Sequence, residues 1–232
     1  MSTNLIAISG LKGSGKDCAA EMFQYCLSVN KIFRQYWIYR TFGKIFPKKW
    51  KKIAFADQLK KSLSEILCIP VEKFNDRNFK ENYYLNIKDL TISEASEAKF
   101  SKLSDNKFTK LVKDLDPSIS DYSLSIRQVM QAYGTEWCQQ LFGKNVWINS
   151  TLNHATGFTI ISDLRFKAEE EAVHKSNGIV IFIDRPEIAF GNHASEREML
   201  ELLLDLKYDK IIYNDGTIKD LFNSIKSYIN DI

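Results

Sequence analysis

Between Ile6 and Asp17 the chain reads Ile-Ala-Ile-Ser-Gly-Leu-Lys-Gly-Ser-Gly-Lys-Asp, and the second half of that run holds residue types suited to binding phosphate. Gly10, then four residues, then Gly15 and Lys16 satisfy the G-x-x-x-x-G-K spacing of a P-loop. Gly10, Gly13 and Gly15 permit positive φ and close backbone approach, so that successive N–H groups can line an anion-sized nest. Lys16 adds a mobile positive charge. The helix after it turns its unpaired N–H groups and positive dipole end toward the same anion. Asp17 stands where a Ser or Thr hydroxyl ordinarily reaches Mg²⁺, and a carboxylate is an acceptable ligand there, directly or through water. The plainer alternative is a Gly-rich strand-to-helix turn without a ligand. Against it stand an apolar run before the loop, the Lys within it and a helical pattern after it: Ala19, Met22, Phe23, Cys26 and Leu27 share one helical face.

Other groups of the same chemical kind end apolar runs. Ile53-Ala54-Phe55 leads to Asp57; Phe158-Thr159-Ile160-Ile161 leads to Ser162-Asp163 and Arg165; the run from Gly178 to Ile183 leads to Asp184-Arg185; and Lys210 to Tyr213 leads to Asn214-Asp215-Gly216. Continuous apolar strands separated by helices imply a parallel sheet covered on both faces, and such sheets bind ligands beyond the carboxyl ends of their strands. The expected fold is therefore α/β: a three-layer, five-stranded parallel sheet with helices on both faces, in one domain spanning 1–232. An Asp ending a strand, as Asp163 does, is the Walker B arrangement. Singly, each Asp or Arg could be structural: Asp57 could be a helix N-cap and Lys60 a solvated helix charge. Together, five strand ends carrying phosphate-type or metal-type groups point to phosphoryl transfer.

Two stretches depart from the strand–helix alternation. From Lys31 to Lys52 the chain carries Lys31, Arg34, Arg40, Lys44, Lys48, Lys49, Lys51 and Lys52 with no acid, interleaved with seven aromatic residues such as Trp37 and Phe46. Aromatics that stack on bases and cations that follow a backbone are the means of single-strand binding. The reading preferred is a small packed excursion over 31–52 whose charges steer anionic nucleotides inward, with no nucleic-acid partner. From 69 to 121 the pattern weakens into short polar helices, read as an inserted substrate-covering region. Beyond it, Ile126, Val129, Met130, Tyr133, Trp137 and Leu141 make a helical stripe, and Arg127, Gln131 and Thr135 line the neighbouring face, suited to an anion and a base edge. Gly134 within this helix signals a close approach or a helix end. Trp147 is either core or a wall for a base.

Composition adds limits. A formal charge of +3 over 232 residues implies no global field for nucleic acid, and Cys18, Cys26, Cys68 and Cys138 form no C-x-x-C pair and read as reduced thiols, with no zinc site. No secretory leader and no long apolar span is legible, so a cytoplasmic protein without membrane association is expected, in the host cytoplasm if it is viral.

The ordered blocks resemble the bacteriophage deoxynucleoside monophosphate kinases, a branch of the P-loop nucleoside monophosphate kinases. The resemblance rests on Gly10 to Asp17, Phe55-Ala56-Asp57-Gln58-Leu59-Lys60 and Arg127-Gln128-Val129-Met130-Gln131, then Gly134-Thr135-Glu136 and Trp147. It continues through Ser162-Asp163-Leu164-Arg165-Phe166 with Glu169, Arg185-Pro186, His193-Ala194-Ser195-Glu196 and Asn214-Asp215-Gly216. It implies ATP and Mg²⁺ as cofactors and a deoxynucleoside monophosphate as substrate. Gly10, Gly13, Ser14, Gly15, Lys16 and Asp17 would hold ATP phosphates and metal, with Asp163 a second metal ligand and Asn214 to Gly216 beside the adenine. Lys12, Arg127, Gly134, Thr135, Trp147, Asp163, Arg165 and Glu169 would surround the acceptor, with Asp57, Lys60 and Gln131 added by their position. Lys16, Lys12, Arg127, Arg165 and Arg185 would supply catalytic charge, and 185–197, with His193, would form a short lid. Other P-loop kinases, acting on phosphomevalonate or dephospho-coenzyme A, and a nucleic-acid-binding P-loop ATPase are the competing readings. The assembly is left open between a monomer and a homodimer.

Overall fold

The computed structural model describes residues 4–86, 91–94, 123–186 and 205–231. Backbone packing divides the chain into two compact units, Met1–Phe55 with Ile148–Ile232, and Ala56–Trp147.

In chain order the described elements are β1 (Leu5–Ser9), α1 (Lys16–Ser28), α2 (Tyr36–Phe42), β2 (Lys51–Ile53), α3 (Asp57–Leu67), α4 (Arg77–Asn82), β3 (Tyr83–Asn86), β4 (Thr91–Glu94), β5 (Ser123–Ser125), α5 (Ile126–Gln131), α6 (Gln139–Phe142), α7 (Val146–His154), β6 (Thr159–Leu164), α8 (Lys167–Lys175), β7 (Ile179–Asp184), β8 (Lys210–Tyr213) and α9 (Ile218–Asp231).

The first unit is built on a five-stranded sheet in the order β2-β6-β1-β7-β8. All its pairings are parallel, with Ile6 opposite Ile160 on one side and Ile179 on the other. β1 is thus central, and its residues from Leu5 to Ser9 are all buried. Its side chains alternate between two cores, as strand geometry requires. Ile6 and Ile8 pack with Met22 and Phe23 of α1 and Phe222 and Ile225 of α9. Leu5 and Ala7 pack with Ile148 of α7 and Val173 of α8. The sheet is therefore covered on both faces, as the continuous apolar strands predicted.

Two strand limits differ from the sequence reading. β2 spans Lys51–Ile53, so Ala54 and Phe55 lie beyond it. Phe55 turns into the second core, only 5% exposed, and its N–H is taken by Asp163 Oδ1 at 2.8 Å, a side-chain acceptor in place of a ladder carbonyl. β6 runs on to Leu164, which puts Asp163 inside the strand, one residue before its end.

The second unit holds a three-stranded sheet in the order β4-β3-β5, antiparallel throughout. Leu63, Phe74, Phe79, Leu85, Leu124, Ile126 and Val129 form its core. The reading of 69–121 as short polar helices holds for α4 and misses β3 and β4. These strands have four residues each and little apolar alternation, and β3 pairs with β5, which lies far along the chain. The rest of that stretch, 87–90 and 95–121, lies outside the described residues. Among the described residues no helix is long and apolar enough to cross a membrane.

Candidate active site

The loop between β1 and α1 has the backbone its glycines predicted. Gly13 and Gly15 adopt φ of 86° and 88°, in the left-handed region where only glycine is unstrained. A side chain on Gly15 would also collide with Asn214, whose Nδ2 lies 2.7 Å from the position of an added Cβ. Gly15 is the N-cap of α1 and offers no side-chain acceptor, which leaves the first-turn N–H groups directed at an incoming anion. The donors and the dipole fit a phosphate chain.

Asn214, expected beside the adenine, has a further role that spacing could not reveal. Its Nδ2 donates to Ser14 O at 2.8 Å, and its own N–H donates to Asp184 O at 2.6 Å. The carboxamide ties the P-loop to the end of β8. Replacing Asn214 by Ala frees the Ser14 carbonyl and loosens the loop; KM for ATP is expected to rise by about tenfold, roughly the loss of one well-made hydrogen bond, with KM for the acceptor unchanged. Steady-state kinetics with each substrate varied checks this. Asp215 and Gly216 are exposed and lead into α9, whose start is capped by Thr217 N and Oγ1 donating to Asp220 Oδ2 at 2.8 and 2.6 Å.

Lys16 begins α1 and is half-buried. Burial lowers its ammonium pKa; Asp17 and Asp163 act to raise it, and Arg165 to lower it further. Four of the expected residues, Lys16, Asp17, Asp163 and Arg165, are therefore within electrostatic reach of one another. An arriving polyanion would relieve both the burial of the ammonium and its repulsion from the guanidinium. Lys12 and Arg165 are exposed, as Asp17 is. For Mg²⁺, Asp17 and Asp163 are hard oxygen donors close to where phosphate oxygens would complete the coordination, which suits an ion that uses one or two carboxylates. Among the described residues no group of three or more His, Cys, Asp or Glu could hold a metal unaided.

Glu169, expected to face the acceptor, is buried at 7% exposure and engaged with the backbone: its Oε2 accepts from Arg165 N at 2.7 Å and Phe166 N at 3.1 Å. It shapes the turn that carries Arg165. Burial outweighs these hydrogen bonds and pushes its pKa from 4.5 up to about 7. Because the folded value exceeds the unfolded one, the native state holds an extra proton between them, and stability falls as pH rises from about 4.5 to about 7. Glu169→Gln keeps an acceptor oxygen without a titrating group. Its thermal midpoint should lack that part of the decline, as melts across this pH range would show.

In the second unit, Arg127 lies on the exposed side of α5 with Nε 2.7 Å and Nη2 2.5 Å from Glu81 Oε1. Lys60 lies 3.7 Å from Asp57 across one turn of α3; Asp57 is that helix's first residue, and Ala56 is the N-cap. Lys80, absent from the expected site residues, belongs with these cations: burial, then Arg127 and Lys60, lower its pKa. Helix spacing gave no sign of it, because the three cations come from different helices.

Gln131 and Thr135 are exposed, but Thr135 lies in a π-helical stretch, Ala132–Cys138, where the wider turn breaks the simple four-residue spacing. Gly134 is a close approach: an added Cβ would lie 3.0 Å from Leu59 Cδ2. Trp147 Nε1 donates to Gly134 O at 2.8 Å, and its ring centroid lies 6.2 Å from that of Tyr133, so the indole is held at a fixed angle. Arg185 is exposed just after β7; the remainder of the expected lid, 187–197 with His193, lies outside the described residues.

Comparison with known proteins bears on the family. The family described as deoxynucleotide monophosphate kinase matches residues 70–225. That match excludes the P-loop, so the two observations rest on different residues. The chain is similar to the deoxynucleotide monophosphate kinases of Enterobacteria phage T4 and Escherichia phage RB69, each at 23% identity. The alignments cover 96% and 97% of this chain and 97% and 99% of those proteins. Among solved structures, dephospho-CoA kinase from Campylobacter jejuni superposes with a TM-score of 0.37 at 14% identity, covering 99% of this chain and 97% of that one. With a P-loop at its start and the family's pattern over most of the remaining residues, the chain belongs to the deoxynucleotide monophosphate kinase family.

Proposed function

We propose that this protein transfers the terminal phosphoryl group of ATP to the 5′-phosphate of a deoxynucleoside monophosphate, giving ADP and the deoxynucleoside diphosphate. The observation that carries this reading is a half-buried Lys16 at an uncapped helix N-terminus, beside Asp163 and Arg165, in a chain of this family. An oxygen of the acceptor phosphate forms a bond to the γ-phosphorus while the bond to the β–γ bridging oxygen breaks, its electron pair leaving on ADP. The acceptor phosphate is already an anionic nucleophile, so no general base is required.

The protein's task is to hold two repelling anions in line and to neutralise the group in transit. Lys16 and the loop N–H groups between Gly10 and Lys16 hold the donor phosphates. Lys12, Arg165 and Arg185 supply further positive charge. Arg127 and Lys60 neutralise the acceptor phosphate, while Gln131, Thr135 and Trp147 recognise its nucleoside. Asp17 and Asp163 would hold Mg²⁺, which supplies charge neutralisation on the donor phosphates. The substrates belong to the cytoplasm, and the protein acts there.

The test is ADP formation from ATP and Mg²⁺ with each deoxynucleoside monophosphate, its ribo counterpart, phosphomevalonate, dephospho-coenzyme A and single-stranded DNA offered in turn. Turnover selective for deoxynucleotides is the expected result. ATPase activity that responds only to DNA would overturn the proposal.

A further inference from the structure

The basic, aromatic excursion between α1 and β2 takes no part in the site described above, yet it encloses space. A cavity of about 780 Å³ lies between it and α1. Three of its lining residues, Arg40, Lys44 and Lys48, are exposed cations from the acid-free stretch. Its aromatic side is formed by the half-buried rings of Tyr39 and Phe46, whose centroids lie 5.3 and 5.7 Å from that of Tyr25, itself buried beneath them at 4% exposure. Tyr39 is in turn stacked on Phe222 of the core at 5.3 Å and 27°. That wall is rigid, since Tyr25 OH donates to Phe33 O at 2.6 Å. The acid that lines the cavity, Glu21, is already paired with Lys52 at 3.1 Å.

These features select a ligand class. The cavity's volume lies within the range of roughly 300–1,000 Å³ typical of small-molecule sites. Aromatic walls favour a flat, stackable ring, and three cations favour several negative charges on the same molecule. We propose that this cavity is a second nucleotide site, which binds a nucleoside triphosphate through its base against the half-buried rings of Tyr39 and Phe46 and its phosphates on Arg40, Lys44 and Lys48. The site is separate from the P-loop: apart from Cys18 and residues further along α1, its lining comes from residues 39–48.

Calorimetric titration of the full-length protein with a deoxynucleoside triphosphate tests the assignment. Two binding events per chain are expected, one at the P-loop and one here. In the double variant Arg40→Glu/Lys44→Glu, whose substitutions are exposed and leave the fold intact, the second event should weaken by at least about tenfold, the equivalent of one charged hydrogen bond. Its kcat should stay at the wild-type value. Inorganic triphosphate, which lacks the base, should bind the second site at least about tenfold more weakly than the nucleotide, on the same scale. A single event in the wild type, two undiminished events in the variant, or equal binding of inorganic triphosphate would overturn the proposal. None of these results depends on whether the acceptor is a deoxynucleotide.

Discussion

Lys16→Ala is expected to lower the turnover number by at least about a hundredfold, the usual effect of removing one preorganised charge from a phosphoryl or oxyanion site. The magnitude comes from where the ammonium sits. It is half-buried, so its field is less screened than that of a surface lysine, and its place at the head of α1 adds the helix N–H groups to the same anion. The fold does not need it. Burial, with Arg165, outweighs the favourable fields of Asp17 and Asp163 and disfavours the charged form, so truncation removes a cation that is on balance unfavourable to the fold. The thermal midpoint should therefore hold or rise slightly while activity collapses. Steady-state kinetics beside a melting curve separates the two, and near-normal turnover in this variant would contradict the P-loop assignment.

Asp163 has two duties that different substitutions can separate. Its Oδ1 accepts the Phe55 N–H at 2.8 Å, and its charge stands within reach of Lys16. Asp163→Asn retains an acceptor oxygen for Phe55 but loses the charge. Turnover should fall by about ten- to a hundredfold, at the lower edge of a single preorganised-charge effect, with stability nearly unchanged. Asp163→Ala leaves the Phe55 N–H unsatisfied as well. At about 1–3 kcal/mol for an orphaned donor, the midpoint should drop by roughly 2–10 °C for a chain of this size. Equal losses of stability in the two variants would show that the Phe55 contact is not what Asp163 contributes to the fold.

The parts of the fold that are legible in the sequence are those where one local signal suffices. Strands buried on both faces read as unbroken apolar runs, and the run from Ile179 to Ile183 needs no partner to be recognised. The P-loop is legible because its chemistry demands glycine at fixed offsets. Contacts between distant segments are not. Asn214 supporting Ser14 spans nearly the whole chain, and Asp163 receiving Phe55 N–H exists only because β2 ends early and pairs with β6. The π-helical turn at Ala132–Cys138 shifts Thr135 from a face that simple helical spacing would have kept in line with Arg127 and Gln131. The family resemblance singles out Glu169, but its backbone contacts with Arg165 and Phe166 depend on a turn that no residue pattern specifies.

The most direct measurement tracks a label. The protein is incubated with ATP labelled at the γ-phosphorus, Mg²⁺ and one deoxynucleoside monophosphate at a time, and the labelled products are separated and identified. Label is predicted in the deoxynucleoside diphosphate, in amounts equal to the ADP released. Label found only in inorganic phosphate, whichever deoxynucleotide is offered, would contradict the account.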